Sequence, residues 1–453
     1  MELFNEIFSQ FNEVLWGPPL IILLLGTHCW MTLRTRGVQR WIFKGIKLSV
    51  TPDKTEGDIS PFAALTTALA STIGTGNIIG VATAIVSGGP GAVLWTWLTG
   101  LFGIATKYAE SLIAVKYRRK TEDGTYLGGA MVVLEKIGHP KLGVVFALLT
   151  GLAAFGIGCS VQSNAIADAL VTNFGFSAPV VGVVLAVVTF LVIFGGVKSI
   201  ANVCEKLVPF MSLFYTLGCF YILFYNRAYL ILAIELIVQA AFTPRAMAGG
   251  FIGSTIMTAC RYGCARGLFS NESGMGSAPI VAAAAQSRNP VRQALIASTG
   301  TFWDTVVVCL ITGLVLVSSI LANPAISTVG LEGGTLTTLC FAQIPVVGTP
   351  LLIFGILTFA YSTILGWSYY GERCMEYLFG KKVLKPYRFL WIIVLYLGCT
   401  MQLDLVWTIA DTLNGLMAIP NLIAVLLLTR VIAKDTRYYL DEGHLDEVDP
   451  EME

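Results

Sequence analysis

Ser71-Thr72-Ile73-Gly74-Thr75-Gly76-Asn77-Ile78-Ile79-Gly80 is the run on which the reading of this chain turns. It lies inside an apolar segment, 62–85, and gathers glycines, hydroxyls and an amide where a lipid-facing helix would carry leucine and valine. Gly74 and Gly76 flank Thr75 and weaken a helix there, because glycine loses the most backbone entropy on being fixed. An unwound turn at membrane depth leaves N–H and C=O groups that protein, water or ligand must answer. A small zwitterion and a small cation suit such a turn, with N–H groups for a carboxylate and C=O groups for the ion. The same residues also suit an intact helix that needs close small-xxx-small packing. The segment alone does not choose between the two.

Composition sets the surroundings. Of 453 residues, 55% are hydrophobic and 13% charged, against roughly 25% charged in an ordinary soluble domain. The chain therefore reads as an all-α polytopic membrane protein, with lipid as its medium; the plasma (inner) membrane is its expected location. A net charge of +1 gives no reason to expect nucleic acid or an acidic surface partner. The ten cysteines are scattered, and Cys260 and Cys264 are spaced for one helix face rather than a zinc knuckle. His28, His139 and His444 are too few for a histidine-based metal or haem site, so no organic cofactor is expected. The acidic start, 1–13, has no basic n-region, and no cleaved signal peptide is expected.

A bilayer needs about 20 apolar residues per helix, and by that measure there are about eleven spans. They fall at 15–33, 62–85, 91–115, 144–169, 180–197, 208–225, 251–284, 294–319, 351–377, 389–401 and 406–428. Basic residues test the order. Arg34, Arg36, Arg40, Lys44, Lys47 and Lys54 follow the first span, and Arg118, Arg119, Lys120, Lys136 and Lys141 the third. Similar clusters follow the fifth, seventh, ninth and last, whereas the alternate loops are nearly bare apart from Arg227 and Arg245. The positive-inside rule then puts the N-terminus outside and the C-terminus in the cytoplasm, which requires an odd number of spans. The run 229–242 is too short to span and reads as a helix on the external surface; the acidic tail 434–453 reads as mobile.

A second interrupted segment, Arg266-Gly-Leu-Phe-Ser-Asn-Glu-Ser-Gly-Met-Gly-Ser-Ala-Pro279, lies within 251–284. Pro279 removes a helix donor, and Arg266 and Glu272 are costly in hydrocarbon unless they meet protein or water. A cytoplasmic loop between two shorter spans is the other reading of this run. Position favours the interrupted helix. With the first span set aside, each broken segment leads a group of five, and the two groups start from opposite sides of the membrane. Interrupted helices at matching places in inverted halves point to a transporter site. The expected divisions are 1–57 (first helix and basic loop), 58–228 (first repeat), 229–246 (connecting helix), 247–433 (second repeat) and 434–453 (tail).

At these residues the chain resembles the alanine/glycine:cation symporters, also called sodium:alanine symporters. The matching runs are Ala64-Leu-Thr-Thr-Ala-Leu-Ala-Ser-Thr-Ile-Gly-Thr-Gly-Asn-Ile, Gly88-Gly-Pro-Gly-Ala-Val-Leu-Trp, Ala105-Thr-Lys-Tyr-Ala-Glu-Ser, Phe269-Ser-Asn-Glu-Ser-Gly-Met-Gly-Ser-Ala-Pro, Ala360-Tyr-Ser-Thr-Ile-Leu-Gly-Trp-Ser-Tyr-Tyr-Gly-Glu and Ala410-Asp-Thr-Leu-Asn-Gly-Leu-Met-Ala-Ile-Pro-Asn. They span most of the chain, with Ser273 a minor departure from a small alanine. The resemblance implies a LeuT-type 5+5 inverted repeat with one extra N-terminal transmembrane helix. It also implies Na+-coupled uptake of alanine, glycine or similarly small amino acids, by a protein that works as a monomer.

Carried over residue by residue, the resemblance implies that Thr75, Gly76 and Asn77 meet the substrate carboxylate, partly through backbone N–H. Phe269 and Ser270 close the opposite side, Gln162 reaches in with its amide, and Thr363 and Trp367 line the pocket, the indole as its roof. For Na+ it implies the carbonyls of Ala70, Ile73 and Phe359 with the hydroxyls of Ser362 and Thr363, so Thr363 is claimed twice. Each has a plainer reading. Trp367 and Phe269 suit ordinary packing, Gln162 suits interhelical hydrogen bonding, and Lys107 and Glu110, three apart, suit an ion pair. Asp304 and Asp411 would let the same fold carry a proton instead of sodium. A membrane-embedded enzyme is the more distant alternative, but the chain has no His-Glu-x-x-His and no Gly-x-Ser-x-Gly element. A channel is disfavoured by the lack of a repeated filter sequence.

Overall fold

The computed structural model describes residues 10–53, 55–244, 251, 253–401 and 404–450, the side chains of 404–407 excepted. The chain opens with α1 (Pro18–Arg34) and the short α2 (Ile42–Ser49). Ser60 then caps α3 (Pro61–Thr72) by accepting from the Ala63 N–H at 3.0 Å, with Pro61 at the first helical position. A single tight turn, Thr75–Asn77, separates α3 from α4 (Ile79–Gly88). There follow α5 (Ala92–Lys116), α6 (Ala130–Lys136), α7 (Pro140–Phe174), α8 (Ala178–Ile193), α9 (Gly196–Tyr225) and α10 (Arg227–Phe242). The second broken segment is α11 (Ile256–Asn271) and α12 (Pro279–Ala282). Beyond it run α13 (Pro290–Ala322), α14 (Gly333–Ala342), α15 (Gly348–Phe379), α16 (Leu384–Thr400), α17 (Asp404–Leu427) and α18 (Thr429–Thr436). Among the described residues the only sheet is a two-stranded ladder, Arg119–Lys120 with Tyr126–Leu127.

Among the described residues, seven helices are long and apolar enough to cross a membrane: Gln10–Arg34, α7, α9, α13, α15, Lys381–Thr400 and Thr408–Leu427. The other expected spans fall short for physical reasons. Each broken segment is divided, so neither half spans alone. α8 is apolar but has 16 residues, and its Val180, Val184 and Leu191 face outward. α5 has the length, but Thr96, Thr99, Thr106, Lys107 and Glu110 lower its hydropathy. All five are buried, because α5 is enclosed by α1, α11 and α13 and need not satisfy lipid. The short run at 389–401 extends back to Leu384.

Packing divides the helices. α3, α4, α5, α11 and α13 associate closely, as do α7, α8, α15 and α16, while α9 touches both α3 and α15. α15 also packs on α3, so the first break lies between the two groups. The second break is later than expected: Arg266 to Asn271 are helical, and the unwound run is Glu272 to Ala278. Gly274 and Gly276 take φ of +87° and +81° there, the left-handed region that glycine enters without a Cβ penalty. The expected boundary at 246–247, Lys54, Arg245 and the Asp404 side chain lie outside the described residues.

The tail is not the mobile segment expected. α18 crosses the expected boundary at 434, and Tyr439, Leu440 and Leu445 are buried. Asn289 Nδ2 donates to the carbonyls of Leu445 (2.8 Å) and Glu447 (2.9 Å), and Arg292 pairs with Asp446 at 2.7 Å. Asp441 pairs with Arg36 and Arg40 at 3.2 and 2.7 Å. The tail's acids meet the basic loops that composition alone left unpartnered. Asn289 also caps α13 by accepting from the Arg292 N–H at 2.9 Å. Asn289→Ala should therefore cost about 2 kcal/mol, about half from the cap and half from the two tail bonds. The check is thermal unfolding in detergent, with faster proteolysis of the tail as the local signature.

Candidate functional site

Both breaks have the same local cause: an asparagine side chain takes a backbone N–H. Gly74 N–H donates to Asn77 Oδ1 at 2.9 Å instead of continuing the helix to the Ala70 carbonyl. Asn77 N–H donates to Gly74 O at 3.2 Å, so the Ile73 carbonyl also lacks its helical partner. In the second break Ser273 N–H donates to Asn271 Oδ1 at 2.9 Å, and Glu272 adopts a left-handed φ of 53°. A non-glycine residue held there is strained and persists only where its surroundings hold it.

The two freed carbonyls point at α15. Ser362 Oγ lies 3.1 Å from Ala70 O, 3.4 Å from Ile73 O and 2.9 Å from Phe359 O, and Thr363 Oγ1 lies 2.9 Å from Phe359 O. All five residues are buried. One hydroxyl carries one proton and cannot donate to three carbonyls at once. Adjacent oxygens on a small cation held at about 2.4 Å are about 3.4 Å apart, close to this spacing. The set is uncharged, hard and oxygen-only, which fits a monovalent cation better than a transition metal. The close approach needs glycine: a Cβ at Gly366 would sit 2.7 Å from Ser71 Oγ, and one at Gly74 would sit 2.6 Å from Thr363 Oγ1.

Beside this cluster, between the breaks, lies a small cavity of about 20 Å³, room for about one water centre. Gly76, Gln162, Phe269, Ser270, Thr363 and Trp367 line it, as do Ser71, Thr72, Gly74, Ile157, Glu272 and Asn414. Two of the residues expected to touch substrate, Thr75 and Asn77, are not in its lining. The Asn77 amide is spent elsewhere: its Nδ2 donates to Asp304 Oδ1 at 2.7 Å and to Asp304 O at 3.2 Å. Asp304 Oδ2 accepts from Ser270 Oγ at 3.0 Å and Thr305 Oγ1 at 2.6 Å. One carboxyl on α13 thus joins both breaks.

Acceptors crowd one side of the cavity. Gln162 Nε2 donates to Ile157 O at 3.0 Å, which leaves Gln162 Oε1 and Asn414 Oδ1 buried without a partner among the described residues. Glu272 Oε1 accepts from Trp367 Nε1 at 3.0 Å, and its other oxygen accepts from Ser277 Oγ. Lys107 and Glu110 do pair, at 3.2 Å, but they also clamp the unwound run. Lys107 Nζ donates to Glu272 O at 2.9 Å, and Glu110 Oε2 accepts from the N–H groups of Gly274 and Gly276 and from Asn421 Nδ2. Glu272 and Asn414 were not expected in the lining; an acid and an amide inside apolar segments were the available signal. Asp411 and Arg266 line a separate cavity of about 190 Å³ with Trp16, and Phe269 forms a wall of both cavities.

A family model described as the sodium:alanine symporter family matches residues 1–453. The chain is 48% identical over 447 residues to "Sodium/alanine symporter AgcS" of Methanococcus maripaludis, covering 96% of this chain and 97% of that one. It is 34% identical to "Amino-acid carrier protein AlsT" of Bacillus subtilis, over 96% of this chain and 92% of that one. Among solved structures, MhsT in complex with L-phenylalanine superposes with a TM-score of 0.56 at 16% identity, covering 84% of this chain and 99% of that one. A Na+-coupled sialic acid symporter superposes with a TM-score of 0.53 at 14% identity, covering 93% and 86%. At those identities the likeness shows the fold alone, that of the LeuT-type transporters.

Trp367→Phe keeps an aromatic wall but leaves a buried Glu272 oxygen without its donor, a loss of about 1–3 kcal/mol. Thermal unfolding in detergent should show that loss; an unchanged midpoint would mean that the indole bond holds nothing.

Proposed function

This chain belongs to the sodium:alanine symporter family, and we propose that its five-oxygen cluster holds Na+ while the adjacent cavity, once widened, holds a small neutral amino acid. The protein is a secondary active transporter that takes up alanine or glycine with sodium by alternating access. The observation that carries the site reading is the pair of carbonyls, Ala70 and Ile73, released from α3 onto Ser362. Sodium supplies a charge there that one hydroxyl proton cannot, and the hydroxyls of Ser362 and Thr363 turn their lone pairs to it.

The substrate carboxylate meets the backbone N–H of Gly76 in the turn that leads into α4, where the helix dipole favours an anion. Asn77 acts on it through the turn rather than by contact. The ammonium faces Gln162 Oε1, Asn414 Oδ1 and the Glu272 carboxyl. Trp367, Phe269 and Ile157 leave room for a hydrogen or methyl side chain. Because Gly74 borders both Thr363 and Gln162, ion and substrate shape one turn, and each raises affinity for the other by the same factor. One charge moving inward gains about 2.3 kcal/mol per 100 mV, or roughly fortyfold accumulation.

Eleven crossings follow on this reading: α1, α3–α4, α5, α7, α8, α9, α11–α12, α13, α15, α16 and α17. The N-terminus is outside and the C-terminus in the cytoplasm of the inner membrane. The short α6 and α14 follow the second member of each five-crossing half, which supports inverted repeats at 58–228 and 247–433. The cytoplasmic side is closed by a ladder between the start of α3 and the end of α12. Asp58 N–H donates to Ala284 O (2.8 Å), Gln286 N–H to Ile59 O (2.9 Å), and Arg118 to the carbonyls of Ala283 and Ala285 (3.0 and 2.7 Å). Release inward requires that ladder to part.

Labelled alanine uptake into vesicles should vanish when Na+ is replaced by choline at constant pH; uptake that persists would end the sodium reading. Ser362→Ala should raise the Na+ concentration for half-maximal uptake at least tenfold, about 1.4 kcal/mol, while the protein stays folded. Gln162→Ala should weaken alanine binding by about tenfold to a hundredfold, as expected for a hydrogen bond to a charged group. Unchanged affinity would remove Gln162 from the site.

A further inference from the structure

A groove of about 500 Å³ lies where the end of α1 meets α18, and it shares no lining residue with the cavity between the breaks. Arg34, Arg36, Arg430, Lys434 and Arg437 line it, with Asp441 as its one acid. Two of these cations are answered: Arg36 pairs with Asp441 at 3.2 Å and Arg437 with Glu442 at 3.1 Å. Among the described residues, Arg34, Arg430 and Lys434 have no carboxylate within ion-pair distance. Three cations from two helices around one concavity repel each other and invite an anion.

The groove also borders an exposed apolar face. Leu33, 73% exposed, lines the groove itself, and it continues an outward apolar face of α1 formed by Ile22 and Trp30. Leu427, at the end of α17 and just ahead of α18, is 56% exposed. The Arg34 guanidinium lies 5.6 Å from the Trp30 ring centre. Tryptophan beside arginine at a helix end marks the headgroup level of a bilayer. Acyl chains lying along α1 would put a phosphate at their head within reach of the unanswered cations.

We propose that this groove binds the phosphate headgroup of an anionic phospholipid from the surrounding leaflet. A soluble anion would need the cations but not the apolar faces that run into the groove. The bound lipid bridges the extra N-terminal helix to α18 and the tail, where the exposed ion pairs to Asp441 are individually weak. It acts as a structural ligand of the transporter rather than as a substrate. Attraction of this kind is electrostatic and weakens as salt screens it.

The test is thermal unfolding of the full chain in detergent, titrated with phosphatidylglycerol, with phosphatidylcholine or with inorganic phosphate. Phosphatidylglycerol should stabilise the protein and the other two should not. Combined Arg34→Gln, Arg430→Gln and Lys434→Gln should raise the half-saturating phosphatidylglycerol concentration at least tenfold. Removing charge from a different basic loop, with Lys382→Gln and Lys385→Gln, should leave it unchanged. Arg430→Gln alone, at an exposed side chain, serves if the triple variant does not fold, and should raise it severalfold. Equal stabilisation by inorganic phosphate would overturn the lipid source. An unshifted titration in the groove variants, or the same shift in the loop variant, would overturn the site.

Discussion

The hydrogen bond from Gly74 N–H to Asn77 Oδ1 is the interaction on which the rest depends. In a membrane every backbone polar group must be satisfied within the protein or by a ligand. A helix that breaks at mid-depth therefore has to redirect its donors and acceptors. Here one side chain takes the donor, and two carbonyls are left to look elsewhere. They find Ser362 on α15, which has too few protons for them. That shortage of positive charge is the reason a cation is proposed there.

The second constraint is the cost of burying carboxyl groups. Glu110, Glu272 and Asp304 are all buried, and each is surrounded by donors that fix a backbone break. Asp304 reaches both breaks at once, so movement of either α3–α4 or α11–α12 is felt by the other. Glu110, together with Lys107, holds the unwound run open by taking the N–H groups of Gly274 and Gly276. Truncating such a group strands its partners, which is far costlier than the net worth of the bond. The acids serve here as clamps on irregular backbone, and the small cavity between the breaks borders them.

Much of this was legible in the residues. The two broken segments, Ser362 beside Thr363, and the pairing of Lys107 with Glu110 were all expected, and the structure brings each set together. The tail was misread because composition sees its acids but not the basic ends of α1 and α13 that receive them. Asn77 was taken for a contact residue, since an amide beside glycines suits a ligand as well as a turn. Only its distances to Gly74 N and Asp304 show that both ends of the amide are occupied.

The sequence by itself determined that the chain is helical and lives in a membrane, and that two of its segments break, because hydropathy, glycine and proline act locally. Tertiary structure alone decided which atoms those breaks serve. Ser362 follows the Ala70 carbonyl by almost three hundred residues, and no local preference relates them. The acceptor wall built from Gln162, Glu272 and Asn414, one residue from each of three distant helix regions, exists only once α7, α11 and α17 are packed together. Periodicity says which face of a helix is buried, but not what it is buried against.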